Sequence, residues 1–215
     1  MSPNRAFNEI IERSLLRCIS QAQTGSDAET RQLISQHKQI VQIVCFAIDV
    51  PALRVASADC VERYFNLIER SRFEEQWLPI VEKLCESAEI QANPTLWHNL
   101  CYRQIIFHRL SRNYDQAITL TERLQRHLIE PFLCGKLHLE LCECWRLQDV
   151  LEPAATHAQI ALEKFTQLEN EKWQASARND LAAVLIEQEQ FVAAEKYVQQ
   201  ALLFERRHKD PTRMV

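Results

Sequence analysis

The chain has 215 residues, of which 47% are hydrophobic and 25% are charged, and this is the composition of an ordinary folded domain. Its only glycines are Gly25 and Gly135. Sandwiches, barrels, phosphate-binding loops and Rossmann crossovers need more glycine in their turns than that. The formal net charge of −4 argues against a general nucleic-acid-binding surface, since such surfaces depend on clustered positive charge. The composition therefore favours an all-α protein.

Prolines and apolar residues spaced three and four apart predict the helices. Pro51, Pro94, Pro131 and Pro153 fall between apolar segments, and a proline is tolerated at a helix start because its missing N–H has no partner there. Pro79 interrupts one segment and predicts a kink or a late start. We expect ten helices, over residues 5–22, 27–48, 52–70, 73–89, 94–110, 114–129, 132–147, 153–168, 171–188 and 191–207. The connections are short, so neighbouring helices should form antiparallel hairpins.

Two consecutive segments share one spacing of large and small residues. The first reads Leu141, Cys142, Trp145, Leu151, Ala154, Ala158, Ala161, Leu162, and the second reads Leu181, Ala182, Leu185, Phe191, Ala194, Val198, Ala201, Leu202. Looking upstream, Phe73, Tyr114, Leu151 and Phe191 occupy equivalent places in successive segments. The spacing predicts a repeated helix pair of about 40 residues.

This pattern resembles the tetratricopeptide repeat, in the extended form found in bacterial regulatory and signalling proteins. The resemblance covers residues 57–208 and is clearest over 135–208. It implies an α-solenoid of about five antiparallel helix pairs wound into a right-handed superhelix. We accordingly expect an N-terminal helix pair over 1–56, repeats over 57–208 and a C-terminal tail over 209–215.

The residues that carry chemistry in other proteins are scattered here. Eight cysteines occur within apolar helical stripes of a chain that shows no secretory signal, so we expect reduced core thiols and a cytoplasmic protein. Cys134, His138 and Cys142 share one helical face, but a zinc site needs four tetrahedral ligands, and packing explains these residues better. The histidines lack a neighbouring nucleophile or orienting group. We therefore expect no catalytic residue, no metal, no cofactor and no enzymatic activity.

The resemblance implies that a partner protein or peptide binds in the concave groove lined by the first helix of each pair. By register, the groove residues are Tyr102, Arg103, Arg109, Glu143, Arg146, Asn179, Ala183, Ile186 and Glu187. If the three arginines line one surface, they favour an acidic segment. The sequence thus predicts a non-enzymatic interaction adaptor or regulatory module.

A rival function is that of a sensor or regulator subunit that controls a nucleic-acid-directed or nucleotide-hydrolysing partner. It differs from the first in its partner, and the sequence does not choose between the two. Direct DNA binding is disfavoured, because the predicted helix 27–48 is apolar nearly all round in its second half and suits a buried position better than a DNA groove. No stretch approaches the roughly 18 apolar residues of a membrane span, so we expect no membrane contact.

The last predicted helix ends in three consecutive large apolar residues, Leu202, Leu203 and Phe204. Successive helical residues point about 100° apart, so all three cannot face inward. We expect at least one, Leu203, to be exposed. This predicts an end-on contact, either a homodimer through the C-terminal helix or a docked partner helix.

Overall fold

A computed structural model describes residues 3–21, 27–127 and 130–209. Over these ranges the chain forms eleven α-helices, one short 3-10 helix at Pro51–Leu53 and no strand. The helices are α1 (Pro3–Gln21), α2 (Asp27–Ala47), α3 (Arg54–Ser71), α4 (Glu74–Cys85), α5 (Ala88–Gln91), α6 (Pro94–Leu110), α7 (Tyr114–Gln125), α8 (Pro131–Leu147), α9 (Leu151–Gln167), α10 (Glu171–Glu187) and α11 (Phe191–Lys209). The predicted all-α class is confirmed for the residues described.

Each of the ten predicted helices has a counterpart, and the main differences concern two prolines and one helix break. Pro79 lies inside α4, which already begins at Glu74, so the predicted late start is wrong. Pro153 occupies the first turn of α9 and does not begin that helix. The segment predicted as one helix over 73–89 ends at Cys85, and the short α5 follows it. The tail over 210–215 lies outside the described residues.

Five helices end in the same tight turn, and none of these turns uses glycine. The residues Arg72, Arg112, Asp149, Glu169 and Glu189 have left-handed φ angles between 53° and 62°. In each turn the N–H of the next residue donates to the carbonyl five positions earlier, at 2.8 to 3.0 Å, as Gln190 does to Leu185. This is the Schellman arrangement, which satisfies carbonyls left open at a helix end.

Four of these left-handed residues recur at the spacing of the predicted repeat. Arg72, Arg112, Asp149 and Glu189 follow one another at intervals of about 40 residues, and each lies between two consecutive helices. The repeat period seen in the sequence therefore corresponds to a backbone turn that recurs at the same spacing.

The contacts divide the chain into two compact units, Met1–Asn113 and Tyr114–Val215, and each is described by itself. The boundary predicted at residue 56 falls inside α3. In the first unit α1 packs on α2 and α3, α2 on α3 and α4, and α3 and α4 on each other and on α6. In the second unit α7, α8, α9, α10 and α11 pack each on the next, and α8 also contacts α10. Each unit thus contains helix hairpins stacked side by side.

Small residues let the helices of the second unit approach one another closely. Ala154 and Ala158 on α9 are fully buried against Cys142 on α8 and Leu181 on α10. A Cβ atom at Gly135 would lie 2.7 Å from the buried ring of Phe165, so α8 needs glycine at this point of contact with α9. The alternation of large and small residues in the sequence is therefore the packing pattern of α8 to α11.

A glycine at a left-handed position should stabilise the protein. We expect Glu169→Gly and Glu189→Gly each to raise the free energy of unfolding by about 0.5–1 kcal/mol, because glycine avoids the steric cost of a positive φ, and this gain exceeds the cost of its extra freedom in the unfolded chain. Urea denaturation measures this. The control is Glu163→Gly, the same change at an exposed helical position of α9, which should destabilise by about 1 kcal/mol. Equal effects at all three sites would contradict the turn analysis.

Candidate functional site

The predicted groove residues belong to both units, and each group is described within its own unit. In the second unit they lie on α8 and α10, the first helices of two consecutive hairpins, which pack against each other. In the first unit they lie on α6, which packs on α3 and α4.

Arg146 joins α8 to α10 in the second unit. Its guanidinium donates to both carboxylate oxygens of Glu143, at 2.8 and 3.0 Å, and to Glu187 at 2.6 Å. Hydrogen bonds from Arg146 to Glu143 raise the pKa of Arg146 above its ordinary value, and those to Glu187 add to this. One cation and two carboxylates leave this cluster with a formal charge of −1.

Beside this cluster α10 presents an apolar side chain. Ile186 is 48% exposed, and Asn179 and Glu187 on the same helix are exposed as well. Ala183, one turn before Glu187, is half-buried. The α8/α10 surface, defined as Glu143, Arg146, Asn179, Ala183, Ile186 and Glu187, therefore combines an isoleucine, small and polar groups, and an ion-pair cluster of slight negative charge.

In the first unit Arg103 makes the matching contact between α3 and α6. Its guanidinium donates to both oxygens of Glu62 at 2.9 to 3.2 Å and stacks 3.8 Å from the centre of the Phe65 ring. Tyr102 is only 5% exposed, so it belongs to the packing of this unit and offers little surface to a partner. Arg109 is half-buried.

These contacts change the charge expected of the groove. Arg103 and Arg146 are both held in bidentate ion pairs by carboxylates of their own unit. An incoming acidic segment would have to displace those carboxylates, so the preference for an acidic partner is not supported. Glu62 and Glu187 are distant in the chain from the arginines they contact, so the sequence did not reveal those pairs, whereas Glu143 lies three residues before Arg146 on α8 and the i,i+3 spacing was the signal that could have found it.

The cysteines are free thiols. Cys18, Cys60, Cys85, Cys142 and Cys144 are buried, as expected of core residues, while Cys45 is exposed and Cys101 and Cys134 are half-buried. Burial raises the pKa of the Cys60 and Cys142 thiols, and neighbouring sulfur or carboxylate groups add to the effect. These thiols are poor nucleophiles, because the thiolate is the reactive form.

The histidines are more enclosed than the sequence suggested. His37 is 4% exposed, stacks on Phe73 at 3.7 Å, and accepts a hydrogen bond from Trp77 Nε1 at 3.0 Å. His138 on α8 and His157 on α9 have their Nδ1 atoms 3.0 Å apart. The sequence placed His138 beside Cys134 and Cys142 on one helical face, but its imidazole partner comes from the neighbouring helix. Among the residues described, no group of three or more His, Cys, Asp or Glu side chains is placed to hold a metal ion.

The end of the second unit is apolar, as predicted. Leu203 is 53% exposed and Leu202 is 48% exposed, while Phe204 is half-buried. Leu203 and Phe204 also border an open cleft of about 210 Å³ between α10 and α11. Arg178 lines the same cleft, and its buried Nε has no hydrogen-bond partner among the described residues.

The comparisons with known proteins add no relative. No protein-family model matches the chain, and no curated protein resembles it closely enough to count as related.

Of the helices described, none combines the length and the apolar character that crossing a membrane requires. Over the residues described, the chain belongs to the class of all-helical proteins with closely packed neighbouring helices.

The buried His37 should make the protein sensitive to acid. Burial lowers the pKa of His37, so in the folded state it binds its proton at a lower pH than the unfolded value of about 6.5. The stability contributed by neutral His37 is therefore fully present above the unfolded pKa. It is lost as the pH falls from the unfolded pKa toward the lower pKa that His37 has in the folded protein. Protonation also turns Nε2 into a donor that faces the Trp77 N–H.

We expect urea denaturation at pH 7.5 and 5.5 to show a smaller loss of stability in His37→Gln than in the native chain, because glutamine can accept from Trp77 without titrating. His108, His138 and His157 also have lowered pKa values, chiefly through burial, and they contribute to the loss in both proteins. An identical loss in the two proteins would show that His37 is not responsible.

Proposed function

We propose that this protein is a non-enzymatic interaction module that binds a protein or peptide segment across the α8/α10 surface. The observation that supports this proposal most directly is the packing of α8 on α10. Arg146 on α8 bridges the two helices by contacting Glu143 on its own helix and Glu187 on α10. This packing brings the first helices of two hairpins together, as the binding surface of a repeat protein requires. The resemblance to tetratricopeptide repeats supports the same function, and so does the scattering of the chemically reactive residues.

The chemistry of the surface suggests what the segment carries. Ile186 offers apolar area, and a partner side chain that covers it gains the free energy of burial. Glu143 and Glu187 outnumber Arg146, so a basic group next to the apolar residue is favoured over an acidic one. We propose a segment with an apolar residue flanked by lysine or arginine.

Selection from a displayed library of random peptides tests this proposal. Peptides selected on the native chain should share an apolar residue beside a basic one, and Ile186→Glu should weaken their binding at least about tenfold by removing the apolar contact. Val192→Glu is the matched control, because Val192 is 87% exposed on α11 and lies outside the surface. Fluorescence anisotropy measures both affinities. Selected peptides that bind the two variants equally well would place the binding surface elsewhere.

The alternative function, a sensor or regulator subunit acting on a nucleic-acid-directed or nucleotide-hydrolysing protein, differs in the partner and uses the same surface. A cytoplasmic location remains part of the proposal, supported by the free thiols.

We also propose that the C-terminal helix α11 mediates self-association. The exposure of Leu202 and Leu203 supports this, since adjacent exposed leucines on one helix favour an interface. A basic side chain, Arg207, lies near Leu203 at the same cleft and would border such a contact.

Sedimentation velocity over a range of protein concentrations tests the homodimer. We expect the native chain to show a concentration-dependent increase in sedimentation coefficient and Leu203→Glu to sediment as a monomer, because a buried unpaired carboxylate is costly. Val192→Glu again controls for the added charge. A native chain that stays monomeric at every concentration would exclude the homodimer and leave a docked partner helix.

A further inference from the structure

We propose that His138 and His157 bind a late first-row divalent metal ion of tetragonal preference, Cu²⁺ or Ni²⁺, between α8 and α9. The pair lies within the second unit and outside the α8/α10 surface, so this proposal is independent of the peptide-binding function. It departs from the expectation of no metal because that expectation considered one helix at a time.

The separation of the two nitrogens suits chelation. The Nδ1 atoms are 3.0 Å apart, and the imidazole rings are 5.2 Å apart and tilted by 28°. Two nitrogens at this separation, each about 2.0–2.1 Å from one ion, subtend about 91–97° at the metal. That angle is the cis angle of square-planar or octahedral coordination and is smaller than the tetrahedral angle of zinc. Cu²⁺ and Ni²⁺ favour such nitrogen and oxygen sites.

Helix α7 supplies a partner for the outer nitrogen of His138. The amide nitrogen of Gln125 lies 3.4 Å from His138 Nε2 and donates to it. The proposed site requires this amide to rotate by half a turn, so that its oxygen accepts a hydrogen bond from Nε2–H and the Nδ1 lone pair of His138 is available to the metal. Histidines that bind metals are commonly fixed in this way by an acceptor on the other nitrogen.

Charged groups on α7 and α9 also act on the pair. Glu122, one turn before Gln125 on α7, raises the pKa of His157 against the larger lowering by burial, so its carboxylate is within electrostatic reach of that ring. Burial lowers the pKa of His138 to about 4, with His157 and then Lys164 on α9 as the smaller causes. Both imidazoles are therefore neutral at neutral pH, which is the form that binds metal. The positive charge of Lys164 disfavours a bound metal ion, whereas the negative charge of Glu122 favours it.

Without metal, the 3.0 Å contact requires one Nδ1 to donate to the other. Because the Gln125 amide donates to His138 Nε2, the donor is His138 and the acceptor is His157. Metal binding then moves the His138 proton from Nδ1 to Nε2, where the rotated Gln125 oxygen accepts it, and no net proton is released. Water completes the coordination shell, because no third His, Cys, Asp or Glu among the described residues joins the pair.

Calorimetric titration of the full chain, without an affinity tag, tests the proposal with Ni²⁺ as the probe. Ni²⁺ is chosen because Cu²⁺ oxidises thiols and this chain has free cysteines. We expect the native chain to bind one Ni²⁺ at pH 7.5, and we expect His138→Gln and His157→Gln each to lower the affinity at least about tenfold. His127→Gln removes an exposed histidine outside the pair and should leave the affinity unchanged.

Several results would overturn the proposal. They are no binding of Ni²⁺, equal affinity in the native chain and both pair variants, or a loss confined to Cys134→Ser, which would assign the ion to a thiol one turn from His138. If a pair variant fails to fold, histidine modification by diethylpyrocarbonate in the native chain decides the question. Bound Ni²⁺ should protect His138 and His157 together, and unchanged reactivity of both would reject the site.

Discussion

The turn that ends α3, α6, α8, α9 and α10 is the feature on which the rest of the described structure depends. It forces one residue into the left-handed region, and here that residue is an arginine, an aspartate or a glutamate where glycine is the usual choice. In the second unit its recurrence at Asp149 and Glu189 brings two consecutive hairpins back to the same register. Because the register repeats, small residues on one hairpin meet large ones on the next, and the helices approach closely.

The steric cost of these turns shows that tertiary packing determines the backbone conformation of the left-handed residues. A left-handed conformation is unfavourable for Glu169 and Glu189, and it persists because the hydrogen bonds of the turn and the packing of α9, α10 and α11 require it. The second unit contains continuous contacts of this kind from α8 to α11. Its helices are therefore held by the burial of alanine, leucine and valine side chains between hairpins, while intrinsic helix propensity contributes less.

Much of the fold was predictable from the sequence, because apolar periodicity and proline report on local structure. Helix α6 begins and ends at the predicted residues, and Asn93 caps it by accepting from the Leu96 N–H. Of the two predictions for Pro79, the late start is wrong, because an internal proline can be accommodated within a helix when the surrounding packing favours it. The short α5 follows a break at Glu86 and Ser87 that has no glycine or proline to mark it. The division into two units has no compositional signal at residue 113.

The candidate site was less predictable, since register gives the helix face but not the partner of each side chain. Register placed Tyr102 in the groove, yet its ring is buried. It also placed Arg103 and Arg146 there as available cations, while the structure pairs each with a carboxylate. The pairing of His138 with His157 was missed for the same reason, because a helix-by-helix search compares residues on one helix and these two belong to different helices.

The two arginine clusters explain how the hairpin period also determines surface chemistry. Arg103 pairs with Glu62, and Arg146 pairs with Glu187, and the sequence separation is the same in both pairs. The first pair joins α3 to α6 within the first unit, and the second joins α8 to α10 within the second unit. The equal separation indicates that each unit brings residues about one repeat apart into contact. Each bridging arginine is half-buried, so an anionic ligand must compete with a carboxylate already in bidentate contact. The same spacing that brings these helices into contact therefore also neutralises both arginines.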